Sequence, residues 1–339
     1  MQSPMVLAII TLGGLGLLFA AGLALASRKF AVEEDPRLPK VMDALAGANC
    51  GACGYPGCRA FAEAVIKGQA PITGCTPGGT ESTSRIAQIM GMQASDEEYV
   101  PRVATIRCRG GHREARQLFE YQGLADCAAA QLAGGGHKAC PYGCLGLGTC
   151  VRVCPFDALS MGDNGLPVVD EERCTACGLC VEACPRDIIE LIPRSAQIYL
   201  ACVSQDKGKA VKSVCTVGCI GCGLCAKPKV TPSGSITMEG NLPSVDYARG
   251  GTDLLVAAAK CPTHSYVDKV AHRPKVTIDS KCDGCGICKE ICPVGAIEGE
   301  KGQRHKVIMD KCIGCGLCVP KCPLSAITIV GALGYVEAS

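Results

Sequence analysis

Residues 282–293 read CDGCGICKEICP, and residues 312–323 read CIGCGLCVPKCP. Each is a C-x₂-C-x₂-C-x₃-C-P run: Cys282, Cys285, Cys288 and Cys292 before Pro293, then Cys312, Cys315, Cys318 and Cys322 before Pro323. Runs of this spacing hold [4Fe–4S] cubanes, and in two-cluster units the fourth cysteine of each run ligates the other cluster. By that crossing, Cys282, Cys285, Cys288 and Cys322 are expected to hold one cluster, and Cys312, Cys315, Cys318 and Cys292 its neighbour. Zinc is the rival metal, but a zinc ribbon takes two C-x₂-C pairs separated by a dozen or more residues. Short strands are predicted around VTID (276–279), HKVIMD (305–310) and AITIV (326–330).

Working outward, the chain has 28 cysteines in 339 residues. Their regular close spacing suits metal ligation rather than a disulfide framework. Cys140, Cys144, Cys150 and Cys154-Pro155 form a stretched run, and Cys174, Cys177, Cys180 and Cys184-Pro185 a regular one. Crossing assigns Cys140, Cys144, Cys150 and Cys184 to one cluster and Cys174, Cys177, Cys180 and Cys154 to the next. Cys219, Cys222 and Cys225 begin another run, but Lys229 stands where the fourth ligand belongs. Cys261-Pro262 looks like the tail of a second run whose first three positions are Gly251, Leu254 and Ala257. These four replaced positions would together have made one crossed cluster, so this unit is expected to keep a single cluster, on Cys219, Cys222, Cys225 and Cys261. Cys215 is the rival fourth ligand, because Cys215-x₃-Cys219 echoes Cys140-x₃-Cys144.

Nearer the start, NCGACGYPGCRAFAEAVIKG (49–68) places Cys50, Cys53 and Cys58 ahead of a distant Cys75, a further [4Fe–4S] site followed by a helix over 58–67. The count is then six clusters on 24 cysteines. Cys108 and Cys127 are expected to be lone buried thiols; Cys202 and Cys215 stay unassigned.

Residues 4–26, PMVLAIITLGGLGLLFAAGLALA, are long and apolar enough to cross a bilayer as a helix. Ala24-Leu25-Ala26 resembles a signal-peptide cleavage site, but nothing basic precedes the run, which favours a retained anchor. Arg28 and Lys29 follow it, which by the positive-inside rule puts the body of the chain in the cytoplasm. The span itself carries no ionisable residue and so no ion path. The formal charge of +2 carries no nucleic-acid footprint. With no Trp, five Phe and eight Tyr, the small units have little apolar core, and metal binding must supply much of their folding free energy.

An apolar first helix, NCGACGYPGC with its distant Cys75, and then GGGHKACPYGCLGLGTCVRVCPFDA (134–158) and KGKAVKSVCTVGCIGCGLC (207–225) together resemble the B subunit of the Rnf complex in its longer, multi-cluster form. The resemblance covers essentially the whole chain. GGTDLLVAAAKCP (250–262) departs from a regular cluster-binding run. The family implies a membrane-bound ferredoxin:NAD⁺ oxidoreductase that translocates Na⁺ or H⁺, with soluble ferredoxin as donor and the other subunits of the complex as partners. No G-x-G-x-x-G following a strand marks a nucleotide fold, so NAD and flavin are expected on those partners. The expected architecture is α+β: a transmembrane anchor (1–27), a linker (28–40), a small 4Fe-4S domain (41–100), and tandem two-cluster-ferredoxin-like domains at 101–194, 195–270 (one cluster) and 271–339. The alternative reading is a polyferredoxin component of another membrane redox complex, such as a hydrogenase or dehydrogenase.

Overall fold

The computed structural model describes residues 3–29, 35–92 and 100–331; the acidic residues of the expected linker, Glu33 and Glu34, lie outside them. Helix α1 (Ser3–Lys29) is exposed along its described length and ends on Arg28 and Lys29. Its Ala8–Lys29 stretch is long and apolar enough to cross a membrane. An uncovered apolar helix of this kind is at equilibrium in lipid rather than water.

Three helices then form one small core. They are α2 (Leu38–Ala44), α3 (Cys58–Ile66) and α4 (Gly79–Met90). Leu38, Val41, Phe61, Val65 and Ile86 pack together at its centre. The helix predicted after Cys58 is present, and α2 begins inside the stretch expected to be linker. Ser82 donates to the Ala44 carbonyl, joining α4 to the end of α2 across the core.

The remainder repeats one pattern of paired strands three times. An outer pair joins the first and last strand of each set, and an inner hairpin lies between them in sequence. The outer pairs are β1 (Arg102–Ile106) with β4 (Ile189–Pro193), β5 (Ile198–Leu200) with β8 (Tyr266–Asp268), and β9 (Thr277–Ile278) with β12 (Ile327–Thr328). The inner hairpins are β2 (Leu159–Met161) with β3 (Pro167–Val169), β6 (Ile236–Glu239) with β7 (Leu242–Val245), and β10 (Ile297–Glu298) with β11 (Lys306–Val307). All six pairings are antiparallel. Strands this short make few ladder bonds, and two-stranded sheets are marginal in water without something to pack on.

Short helices alternate with the strands: α5 (Cys127–Leu132), α6 (Thr149–Arg152), α7 (Leu179–Glu182), α8 (Lys209–Lys212), α9 (Thr252–Lys260) and α10 (Ile287–Ile291). In the first set, Val103, Ile106, Ile188 and Ile192 pack against Cys144, Cys150, Cys174 and Cys180. In the third, Val276, Ile278 and Ile327 pack against Cys288 and Cys318. The apolar layers are thin, and cysteines form much of what they cover. The second set differs. There α9 buries Leu254, Leu255, Val256 and Ala257, so aliphatic side chains fill the side where the sequence lacks ligands.

Chain geometry around the runs is tight. Gly314, between Cys312 and Cys315, sits at φ +69°, and a Cβ there would strike the Pro274 carbonyl oxygen. Gly286 also has positive φ, but a Cβ on it would meet nothing within 4 Å. Gly314→Ala is therefore expected to lower holo-protein stability by about 2 kcal/mol or more, and Gly286→Ala by about 1 kcal/mol. Denaturant midpoints of the two variants, measured anaerobically, check the difference.

Candidate metal centres

None of the 28 cysteines is in a disulfide. Burial pushes those of Cys144, Cys180, Cys219 and Cys318 up to about 12, and that of Cys150 up to about 11, because a thiolate loses its hydration inside the fold. A buried thiol therefore needs a cation in place of its proton before it becomes a ligand. Among the described residues, no three His, Cys, Asp or Glu come together closely enough to hold a single metal ion. The thiols ring small spaces instead. That is the arrangement for a cubane, whose four corners keep the sulfurs farther apart than a tetrahedral zinc does.

Helix α3 begins on Cys58, whose amide donates to Asn49 Oδ1 at 2.9 Å; this ties the residue before Cys50 to the helix start. Cys53, Cys58 and Cys75 pack against the α2–α4 core, with Cys75 leading into a short 3₁₀ turn. Cys50 lies near Cys177 of the next group.

Cys154, Cys174, Cys177 and Cys180 line one pocket under Phe156 and Leu191. The fourth cysteine of the earlier run thus lies beside the first three of the later one, the placement a crossed ligand would need. In the third strand set Cys292 likewise lies with Cys312, Cys315 and Cys318, while Cys288 lies with Cys282 and Cys285. Cys322 packs into the same core.

The partner crossing differs from the sequence expectation at one position. Cys144, Cys150 and Cys184 line a pocket whose fourth thiol is Cys127, not Cys140. Counted back from Cys154-Pro155, a regular run would have ligands at 144, 147 and 150, and residue 147 is Leu. Cys127, the first residue of α5, lies beside Cys144, Cys150 and Cys184 instead. Asp126 caps that helix, accepting from the Ala129 amide at 2.9 Å and from Thr149 Oγ1 at 3.0 Å, and Arg152 pairs with it at 3.4 Å. The Cys127 amide donates to Thr149 Oγ1 at 2.8 Å. This knot fastens the start of α5 to α6, which carries Cys150. Hydrogen bonds and the neighbouring guanidinium hold the Asp126 carboxyl below its usual range, so the cap stays ionised. Cys140 faces a different pocket, together with Cys108, expected to be a lone thiol, Cys202, left unassigned, and Cys215, the rival fourth ligand to Cys219, Cys222 and Cys225. Nothing in local spacing marks that group, because its members come from four separate segments.

Cys219 and Cys225 lie with Cys261. Cys261 also accepts from the Ser265 amide at 3.4 Å. The same bond from the residue four places on reaches Cys154 (3.4 Å), Cys292 (3.2 Å) and Cys322 (3.3 Å). Cys261 thus has the local geometry of Cys154, Cys292 and Cys322. The buried Tyr266 hydroxyl has no nitrogen or oxygen partner and faces the Cys225 sulfur, a donor suited to a thiolate or cluster sulfide. Donor type, crossing and this unpaired hydroxyl all fit [4Fe–4S] clusters.

Four family models match in register with these groups: an Fe-S cluster model at residues 45–77, a 4Fe-4S dicluster domain at 278–329, and 4Fe-4S binding domains at 167–190 and 144–158. Over 85% of its length the chain is 44% identical to the B subunit of the Na(+)-translocating ferredoxin:NAD(+) oxidoreductase complex of Acetobacterium woodii, covering 76% of that protein. It is 39% identical to the B subunit of the ion-translocating oxidoreductase complex of Methanosarcina acetivorans, covering 88% of this chain and 99% of that one. A third relative, the B subunit of the proton-translocating ferredoxin:NAD(+) oxidoreductase complex of Clostridium ljungdahlii, is 44% identical over 76% of this chain and 90% of its own length. A solved formate dehydrogenase–heterodisulfide reductase–formylmethanofuran dehydrogenase complex from Methanospirillum hungatei covers 53% of the chain and 73% of the matched chain at 23% identity, with a TM-score of 0.23, too low to equate the folds.

Proposed function

Because the chain belongs to the B-subunit family of ion-translocating oxidoreductase (Rnf) complexes and is an iron–sulfur electron-transfer subunit of such a complex, we propose that it takes single electrons from reduced ferredoxin and relays them into a membrane-bound, Na⁺- or H⁺-translocating ferredoxin:NAD⁺ oxidoreductase. The observation that carries this reading is the crossed arrangement of thiols: Cys154 sits with Cys174, Cys177 and Cys180, and Cys184 with Cys144 and Cys150. Crossing brings two centres close within one fold, which suits conduction between them.

The ligand sets are Cys50, Cys53, Cys58 and Cys75; Cys127, Cys144, Cys150 and Cys184; Cys154, Cys174, Cys177 and Cys180; Cys219, Cys222, Cys225 and Cys261; Cys282, Cys285, Cys288 and Cys322; and Cys292, Cys312, Cys315 and Cys318. When bound, each cluster supplies a one-electron couple. The protein's part is to hold the thiolates, keep water from them, and donate amide and hydroxyl hydrogen bonds that tune potential, as Ser265 does to Cys261 and Tyr266 toward Cys225. The three nested strand sets are three tandem ferredoxin-like domains, the middle one keeping one of its two regular clusters. Helix α1 anchors them in the cytoplasmic membrane as a single span. Arg28 and Lys29 at its end support a cytoplasmic position for the clusters. NAD and flavin sites belong to the partner subunits.

The test uses the complex extracted from membranes anaerobically. Reduced ferredoxin is expected to bleach the visible iron–sulfur absorption of this chain and to produce the reduced-cluster EPR signals that dithionite gives. Reduction by dithionite but not by ferredoxin would overturn the donor. Stoichiometric zinc without iron would sink the redox reading entirely.

A further inference from the structure

The 28 cysteines divide into seven sets of four with none left over, and the seventh set is the one no run announces. Cys108, Cys140, Cys202 and Cys215 line a common pocket. Each of the four lies within electrostatic reach of the other three. A point beside Gly110 is 3.2 Å from the Cys215 sulfur and 3.8 Å from that of Cys108. Residues 114–118 hold the segments together. The Arg116 amide donates to the Val214 carbonyl at 2.8 Å, and the Arg116 carbonyl accepts from the Ala139 amide at 2.9 Å. Ala115 bridges to Cys215 directly, and Gln117 to Lys138.

The two strand sets contribute equivalent positions. Cys108 lies two residues beyond β1, and Cys202 two residues beyond β5. Cys140 precedes Cys144, the first ligand of its run, by the same interval that separates Cys215 from Cys219. The Cys144 amide donates to the Cys108 sulfur at 3.4 Å, and the Cys219 amide donates to the Cys202 sulfur at 3.3 Å. Four lone thiols would not be expected to pair off in this way. The third set has Ser280 and Ile278 at the matching places, so the device belongs to the junction of the first two sets.

Charge gives a separate indication. Lys138 is only 3% exposed, and its ammonium donates to the Gly110 carbonyl beside the pocket. No acidic side chain pairs with it among the described residues; the groups within its electrostatic reach include the thiols of Cys215 and Cys144. A buried ammonium needs an anion, and a cubane with four thiolates is one. The Arg186 guanidinium, half-buried and bonded to the Cys140 carbonyl at 3.2 Å, adds a second cation on that side.

We propose that Cys108, Cys140, Cys202 and Cys215 hold a further [4Fe–4S] cluster, which carries electrons between the centre of Cys127, Cys144, Cys150 and Cys184 and that of Cys219, Cys222, Cys225 and Cys261. The ligand set stands on geometry and charge; the transfer role rests on the relay function proposed above. In each transfer one electron leaves a reduced cluster, returning it from the 1+ to the 2+ core state, and enters the bridging cluster, taking it from 2+ to 1+. No proton moves and no bond is made. The hydrogen bonds from Cys144 to Cys108 and from Cys219 to Cys202 place the bridge in contact with a ligand of each neighbour. Lys138 and Arg186 favour its reduced, more negative state.

The test is native mass spectrometry of the detergent-extracted, anaerobically purified full chain, with iron and acid-labile sulfide measured alongside. The most fully loaded wild-type species is expected to carry seven Fe₄S₄ units, and that of Cys202→Ala/Cys215→Ala six. A wild-type series ending at six, or a double variant that still reaches seven, overturns the bridging site while leaving the relay reading intact. A chain without iron overturns the relay reading itself. Should the variant fail to fold, the wild-type series alone decides. In a folded variant, rapid freezing after mixing with reduced ferredoxin is expected to show EPR signals from clusters on one side of the gap only; signals from both sides as fast as in wild type overturn the bridge's role.

Discussion

Anaerobically purified Cys184→Ala protein is expected to lose one cluster, the one shared with Cys127, Cys144 and Cys150, and to keep the cluster on Cys174, Cys177 and Cys180 beside which residue 184 lies in sequence. Iron falls by about four atoms per chain. Cys127→Ala has the same effect, and the double variant loses one cluster rather than two, because both thiols serve one site. The expectation follows from the pocket that holds Cys127 and Cys184 together and excludes Cys140. If Cys127 were a spare thiol, its removal would leave iron unchanged. If ligation ran within each run, Cys184→Ala would instead remove the cluster of Cys174, Cys177 and Cys180. Mössbauer area and native mass, read on the three proteins side by side, separate these outcomes.

The second large effect is expected from iron itself. Stripping the clusters with a chelator under reducing, anaerobic conditions is expected to unfold residues 101–331, with loss of circular dichroism and cooperative melting, while α1 stays helical in detergent. The outer strand pairs after β4 are only two or three residues long. A buried aliphatic side chain contributes about 1.5–3 kcal/mol, which must be set against ordering about 1–2 kcal/mol of backbone entropy per residue. Structural metals supply about 10 kcal/mol or more to small domains of this kind. A chelated protein that retained its native far-ultraviolet spectrum and a sharp melt would show that the apolar layers suffice alone. The α2–α4 core, built on Phe61, Val41 and Ile86, is the region where residual structure is expected to persist.

The sequence exposed the part of this molecule that is local. The closeness of Cys154 to Cys174, Cys177 and Cys180 was legible because the regular runs, such as those starting at Cys174 and Cys282, place four cysteines within eleven residues. Strands near 277, 306 and 327 were legible from β-branched residues between turns. The place of Cys261 beside Cys219 and Cys225 was legible from an absence, since the four replaced positions fall into one crossed set, and α9 fills that space with Leu254 and Ala257. What local spacing could not give was Cys127 and the group around Cys140. Leu147, where a regular run has cysteine, was the available signal for the first; the thiol that takes its place in the pocket could come from anywhere in the chain, and Cys127 sits on a helix fastened by Asp126 and Thr149. For the second, the echo between Cys140-x₃-Cys144 and Cys215-x₃-Cys219 was visible. Its meaning depended on β1 and β5 ending two residues before Cys108 and Cys202, which only tertiary pairing shows.

Helix α9 bears on the direction of traffic as well as on packing. A complete pair of clusters in the middle domain would offer arriving electrons a side branch, a site where charge could wait and meet oxygen. Leu254, Leu255, Val256 and Ala257 put saturated hydrocarbon there instead. On the far side, Ile313 and Cys315 of the last domain pack against the same core. On the proposed relay, the middle strand set is a corridor with an insulated wall. With one redox centre in place of two, the proposed route through it is single-file.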